Sequence, residues 1–109
     1  MHEMAVVAGV LDSIAERSEG RRVVRVVLEI GRMTAVLPDA VRFCFDVAAR
    51  GTEAEGAALD IVEIDGAIRC RSCGKDGPAD FRLALCTCGS ADVVAVRGAE
   101  LRVREMEVV

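Results

Sequence analysis

Hydrophobic and polar positions along the chain change their period several times, and each change marks an element. Residues 4–17 (MAVVAGVLDSIAER) place Met4, Val7, Val10, Leu11 and Ile14 on one face at helical spacing, and Gly20 supplies a stop. Residues 22–30 (RVVRVVLEI) are rich in β-branched side chains and predict a strand ended by Gly31. In Leu37-Pro38-Asp39 the proline suits a first helical turn, where its missing N–H would have no partner anyway. Val41, Phe45 and Ala48 then form an apolar helical stripe that ends at Gly51. Cys44 falls within that stripe and is expected to be a buried helix cysteine. Residues 58–64 (ALDIVEI) alternate as a half-buried strand does. After a cysteine-bearing stretch from Arg69 to Ser90, the runs 92–97 and 100–108 predict two more strands divided at Gly98. The cysteine module is thus an insertion between strands able to pair in one sheet.

Composition narrows the class. The chain has 109 residues, 52 % of them hydrophobic, which supports one compact domain or a small domain with a metal-stapled module. Phe43, Phe45 and Phe81 are the only aromatic residues, so the core must be built from aliphatic side chains. The net charge is −4 and the basic residues are scattered, which argues against a surface built to neutralise nucleic-acid phosphates. No apolar run approaches the roughly 20 residues of a membrane span. The opening MHEMAVVAGV lacks the basic and long apolar regions of a signal peptide. A cytoplasmic protein is expected.

Four of the five cysteines cluster as Cys70-x2-Cys73, twelve intervening residues, then Cys86-x-Cys88. In a reducing compartment such a cluster points to metal rather than to disulfides, and two close pairs joined by a loop form a zinc-ribbon arrangement. A tetrahedral ion takes two sulfurs from each of two turns, whose backbone N–H groups stabilise the thiolates. Gly74 and Gly89 follow the second cysteine of each pair, where a tight turn favours positive φ. Cys86 and Cys88 have one residue between them, and in an extended segment they point to the same side with Cα atoms about 6.6 Å apart. Sulfurs sharing one zinc lie about 3.8 Å apart, so inward-leaning side chains close that gap. Arg69, Arg71, Lys75 and Arg82 are expected to offset the thiolate charge. Iron would accept the same ligands, but no aromatic shell nearby supports electron transfer. A closed four-sulfur site leaves no open position for water, so the zinc is expected to be structural.

The sole histidine is residue 2. So bulky a second residue prevents removal of the initiator methionine, which keeps the α-amine of Met1 beside His2. That amine, the imidazole and the intervening amide nitrogens close adjoining chelate rings, an all-nitrogen square-planar set that suits Ni(II) or Cu(II). Glu3 is either a contributor to such a site or simply a favourable acidic residue in a first helical turn.

At this point the chain resembles a known family. The opening MHE, the amphipathic helix after it, FCFDVAARGTEAEGAAL at 43–59, the C-x2-C-G…C-G-S ribbon and the closing GAELRVREMEV together look like the hydrogenase nickel-incorporation proteins (HypA/HybF). The resemblance covers nearly the whole chain. It departs from the family at Cys86-x-Cys88, where the family has two residues between the cysteines. What the resemblance implies is a nickel metallochaperone for [NiFe]-hydrogenase, sometimes urease. Ni(II) would be the transferred cargo, bound by Met1, His2 and Glu3, with a structural Zn(II) on Cys70, Cys73, Cys86 and Cys88. The partners implied are a nickel-handling GTPase and the hydrogenase large-subunit precursor.

The expected fold is α+β: a small mixed β-sheet with two helices and an inserted zinc-ribbon module. Residues 1–66 plus 98–109 would form the nickel-binding domain and 67–97 the ribbon. No catalytic carboxylate–histidine pair, activated serine or phosphate loop is apparent, so binding and transfer of metal are expected rather than catalysis. Two alternatives stay open on the sequence. One is a ribbon that recruits nucleic acid or a transcription complex, the other a redox protein using Cys86 and Cys88 as a dithiol.

Overall fold

The structure, a computed structural model, describes residues 2–109. Its elements in chain order are α1 (Glu3–Ser18), β1 (Val23–Gly31), α2 (Pro38–Ala48), β2 (Ala58–Ile64), β3 (Gly66–Cys70), β4 (Asp76–Ala79), β5 (Val93–Arg97) and β6 (Leu101–Val108). The strands form two three-stranded sheets, ordered β2-β1-β6 and β4-β3-β5. By backbone contacts the chain divides into two compact units. One comprises Met1–Glu29, Val36–Val62 and Arg102–Val109; the other comprises Ile30–Ala35 and Glu63–Leu101.

In the first unit both helices follow the apolar periodicity that predicts them. α1 buries Val7, Val10 and Ile14, and ends where Glu19 and Gly20 take positive φ values of 53° and 79°. α2 begins with Pro38 after the extended Leu37 and buries Val41 and Phe45. The third buried position of this stripe is the C-cap residue Ala49, not Ala48. Positions 41, 45 and 49 advance by four residues and drift around the helix, which turns Cys44 to the flank. Cys44 is therefore half-buried and not a core residue.

β1 is the central strand of its sheet. The Gly31 N–H donates to the Glu100 carbonyl, and the Val109 N–H to the Arg22 carbonyl at the other end, so β1 and β6 are antiparallel. The Arg32 N–H donates to the Ile64 carbonyl, so the C-terminal ends of β1 and β2 meet and these two strands run parallel. The sheet is thus mixed. β2 and β6 share it as expected, but β1 lies between them and they are not direct partners. On the face shared by Arg25, Val27 and Glu29, Arg25 pairs with Asp60 (2.7 Å) and Glu107 (3.1 Å), while Glu29 accepts from Arg102 at 3.1 Å. Val26 and Leu28, on the opposite face, are fully buried.

In the second unit β3 is flanked by β4 and β5, both antiparallel to it. Gly31, Gly66 and Gly98 let backbone segments meet closely here. A Cβ on Gly31 would lie 1.9 Å from the Gly98 carbonyl oxygen, and one on Gly98 only 2.7 Å from the Gly66 Cα. Gly98 also has φ +82°, which explains why the chain breaks there between β5 and β6.

Candidate metal centre

β3 delivers Cys70 at its C-terminal end, and the chain then makes two turns of the same design. In the first, the Cys70 N–H donates to the Lys75 carbonyl, the Gly74 N–H to the Cys70 carbonyl, and the Cys73 N–H to Cys70 Sγ at 3.4 Å. In the second, the Cys86 N–H donates to the Ser90 carbonyl, the Gly89 N–H to the Cys86 carbonyl, and the Cys88 N–H to Cys86 Sγ at 3.5 Å. The second turn repeats the first with one residue removed. In both, the glycine after the second cysteine has positive φ, +78° at Gly74 and +93° at Gly89. The two turns face each other. Ser72 Oγ and Ser90 Oγ share a hydrogen bond of 2.9 Å, and the Arg71 N–H donates to the Asp92 carbonyl.

This arrangement brings Cys70, Cys73, Cys86 and Cys88 together, with all four Sγ atoms within 4.8 Å of one another. Two close approaches run across the turns, 3.7 Å from Cys70 to Cys88 and 3.4 Å from Cys73 to Cys86. Those spacings are far beyond the roughly 2.05 Å of a disulfide and close to the ~3.8 Å between thiolates on one tetrahedral zinc. Among the described residues this is the one cluster of three or more Cys, His, Asp or Glu side chains able to share an ion. The donor set, four soft sulfurs with no fifth group, fits zinc.

Without metal the four thiols hold their protons unequally. The Cys73 N–H brings the Cys70 thiol down to about 6, and the Cys88 N–H lowers Cys86. At Cys88 the Ser90 N–H favours the thiolate, but the neighbouring sulfurs of Cys86 and Cys70 outweigh it and push the pKa up to about 11. Cys73 is raised likewise, its Lys75 N–H outweighed by Cys86 and by burial. The four cations expected to offset the thiolates mostly serve elsewhere. Arg69 holds Asp76 at 2.8 Å, Arg71 lies 4.0 Å from Asp92, and Arg82 lies 4.0 Å from Asp80 with its guanidinium over the Phe81 ring.

At the other end of the sequence, His2 is exposed and extended, and forms the N-cap of α1 with no side-chain cap of its own. Its carbonyl accepts the Val6 N–H. Glu3 opens the helix, and its carboxylate accepts the Leu37 N–H at 3.2 Å, a bond that holds its pKa below the usual carboxylate range. Met1, expected to supply the amine, lies outside the described residues. Sequence reasoning missed the Glu3–Leu37 bond and the Ser72–Ser90 bond. The first had a faint signal, a helix start at Leu37 with no polar side chain to cap it.

Fold and site together define a small metal-handling protein, an α+β chain with a four-cysteine ribbon. A model of the family described as hydrogenase/urease nickel incorporation, metallochaperone, hypA, matches residues 1–108. The hydrogenase maturation factor HypA of Nostoc punctiforme is 43 % identical over 108 residues, covering 99 % of this chain and 96 % of that protein. The one from Geobacter metallireducens is 43 % identical over 109 residues, covering 99 % of each. The solution structure of the Ni metallochaperone HypA from Helicobacter pylori superposes with a TM-score of 0.71 at 24 % identity, covering all of this chain and 98 % of that one. The chain belongs to the HypA family of hydrogenase/urease nickel-incorporation metallochaperones.

Proposed function

We propose that the protein binds Ni(II) at its own N-terminus and delivers it during maturation of [NiFe]-hydrogenase, and of urease where that enzyme is present. The observation that carries this reading is the opening Met-His-Glu, with the His2 imidazole exposed at the start of α1 and engaged in no capping bond. The Met1 amine, the His2 imidazole and the one amide nitrogen between them supply the ligands, with Glu3 contributing its own backbone nitrogen. Such a set is kinetically open at a chain terminus, as a carrier requires, and prefers Ni(II) over Zn(II).

Zn(II) held by Cys70, Cys73, Cys86 and Cys88 would cross-link two turns that bury little apolar surface, so its work is structural. The nickel-binding domain in this reading is 1–66 plus 98–109, and the ribbon is 67–97. The protein acts as a carrier and not as a catalyst. Its partners are the nickel-handling GTPase of hydrogenase maturation and the large-subunit precursor, with no nucleic acid and no membrane. Among the described residues no helix is long and apolar enough to cross a membrane; the proposed place of work is the cytoplasm. Family membership disfavours a nucleic-acid ribbon, whose basic surface is also missing from this charge pattern.

Calorimetry with Ni(II) on zinc-loaded protein bearing its native terminus tests the reading. One nickel per chain is expected, lost in His2→Gln and released as the pH falls, because protons compete for the amine and imidazole nitrogens. A His2→Gln protein that retains native nickel affinity would refute it.

A further inference from the structure

Helices commonly satisfy the N–H of their N-cap residue through a glutamate or glutamine three residues on, which reaches back to it. α2 has no such group. Its N-cap is Leu37, its first residue is Pro38, and the third helical position is Ala40, whose methyl group accepts nothing. The missing acceptor comes from another helix: Oε2 of Glu3, the first residue of α1, accepts the Leu37 N–H at 3.2 Å. The capping arrangement is thus split between two helices of the first unit, and Glu3 ties the start of α1 to the start of α2. A carboxylate at that point also lies where the α2 dipole favours negative charge.

We infer that Glu3 is a positioning residue for the nickel site, its carboxylate pinning the beginning of α1 to Leu37 while its backbone nitrogen, next to His2, is the one the nickel reading gives to the metal. The inference rests on the N-terminal nickel reading. Residues 2 and 3 sit at a chain end, where a peptide otherwise frays. A ligand set made of backbone and imidazole nitrogens must give up that freedom on binding. The bond from Glu3 to Leu37 removes part of it beforehand, so nickel meets a terminus already held in place. The carboxylate needs only to accept a hydrogen bond, which a neutral amide oxygen also does.

Three proteins with native termini test this: Glu3→Ala, Glu3→Gln and His2→Gln, whose bulky second residue keeps Met1 in place, each compared with the unaltered chain. Two quantities are read, the hydrogen-exchange rate of the Leu37 amide in nickel-free protein and the nickel affinity by calorimetry. In Glu3→Ala the Leu37 amide should exchange faster and nickel binding should weaken roughly tenfold, the effect of losing one capping bond. Glu3→Gln should recover most of both, since its amide oxygen still accepts. An unchanged Leu37 amide in Glu3→Ala would overturn the inference, and so would unchanged nickel affinity in that variant. Glu3→Gln binding nickel as weakly as Glu3→Ala would overturn it too, and would make the carboxylate a metal ligand. If the unaltered protein binds nickel no better than His2→Gln, the inference fails through its premise. A Leu37 amide still protected by Glu3 would then show that the premise alone was at fault.

Discussion

Gly98 combines two constraints that no other residue type meets. Its φ of +82° is costly for any residue with a Cβ, and that Cβ would press on the Gly66 backbone at 2.7 Å and the Asp65 carbonyl oxygen at 2.8 Å. Since both obstacles are backbone atoms, side-chain rotation cannot relieve them. Gly98→Ala should therefore destabilise the protein by about 2 kcal/mol or more, seen as a lower urea midpoint. A midpoint equal to that of the unaltered protein would mean that this crossing is looser than drawn. The cysteine thiols support a second residue-scale prediction. Cys88, held up at about 11, and Cys73, also raised, carry protons at neutral pH, whereas Cys70, brought down to about 6, mostly does not. Zinc takes thiolates, so loading at pH 7 must displace at least those two protons, and zinc affinity should fall as the pH falls. Calorimetry in buffers of different ionisation enthalpy would count them. Uptake without proton release would contradict the assigned thiol states.

Among the elements, the two cysteine turns are similar in design yet unequal in length. Removing one residue from the second keeps the N–H to Sγ bond and the positive-φ glycine, which is how Cys86-x-Cys88 matches Cys70-x2-Cys73. Cys70 is buried while Cys73 and Cys88 are exposed, so the cluster depends on metal more than on packing. Cys70→Ala or Cys73→Ala should lower zinc content and disorder residues 67–90 while the helical circular dichroism persists. Full zinc occupancy in a Cys86→Ala, Cys88→Ala double variant would show that the four-sulfur assignment is wrong. The long elements were legible in the sequence because apolar periodicity governs them: α1, β1, β2 and β6 lie within a residue of their expected bounds, and α2 starts at the expected Pro38 but ends at Ala48, short of Gly51. β3 and β4 were not. They have five and four residues, contain glycine and proline, and owe their pairing to register with neighbours instead of to any pattern of their own. Cys44 was misjudged because a stripe read at Ala48 falls one position short of the buried Ala49. For the metal centre, the spacing announced all four cysteines, while the cross-turn pairing of sulfurs and the Ser72–Ser90 bond depend on the folded geometry.

At the scale of the molecule, the family model matches residues 1–108 of a 109-residue chain, so the match takes in the opening Met-His-Glu as well as the ribbon. The cysteine ribbon explains itself as a cross-link. His2 does not: its imidazole is exposed and caps nothing, while Glu3 beside it is committed to another helix. The proposed capture of nickel by the terminus would give that imidazole its use. The direct test acetylates the α-amine of Met1, which turns it into an amide, supplies no new amine and changes no side chain. Nickel binding should then weaken about as much as in His2→Gln, with zinc content and circular dichroism unchanged. An N-acetylated protein that binds one nickel with native affinity would contradict the terminal-amine site.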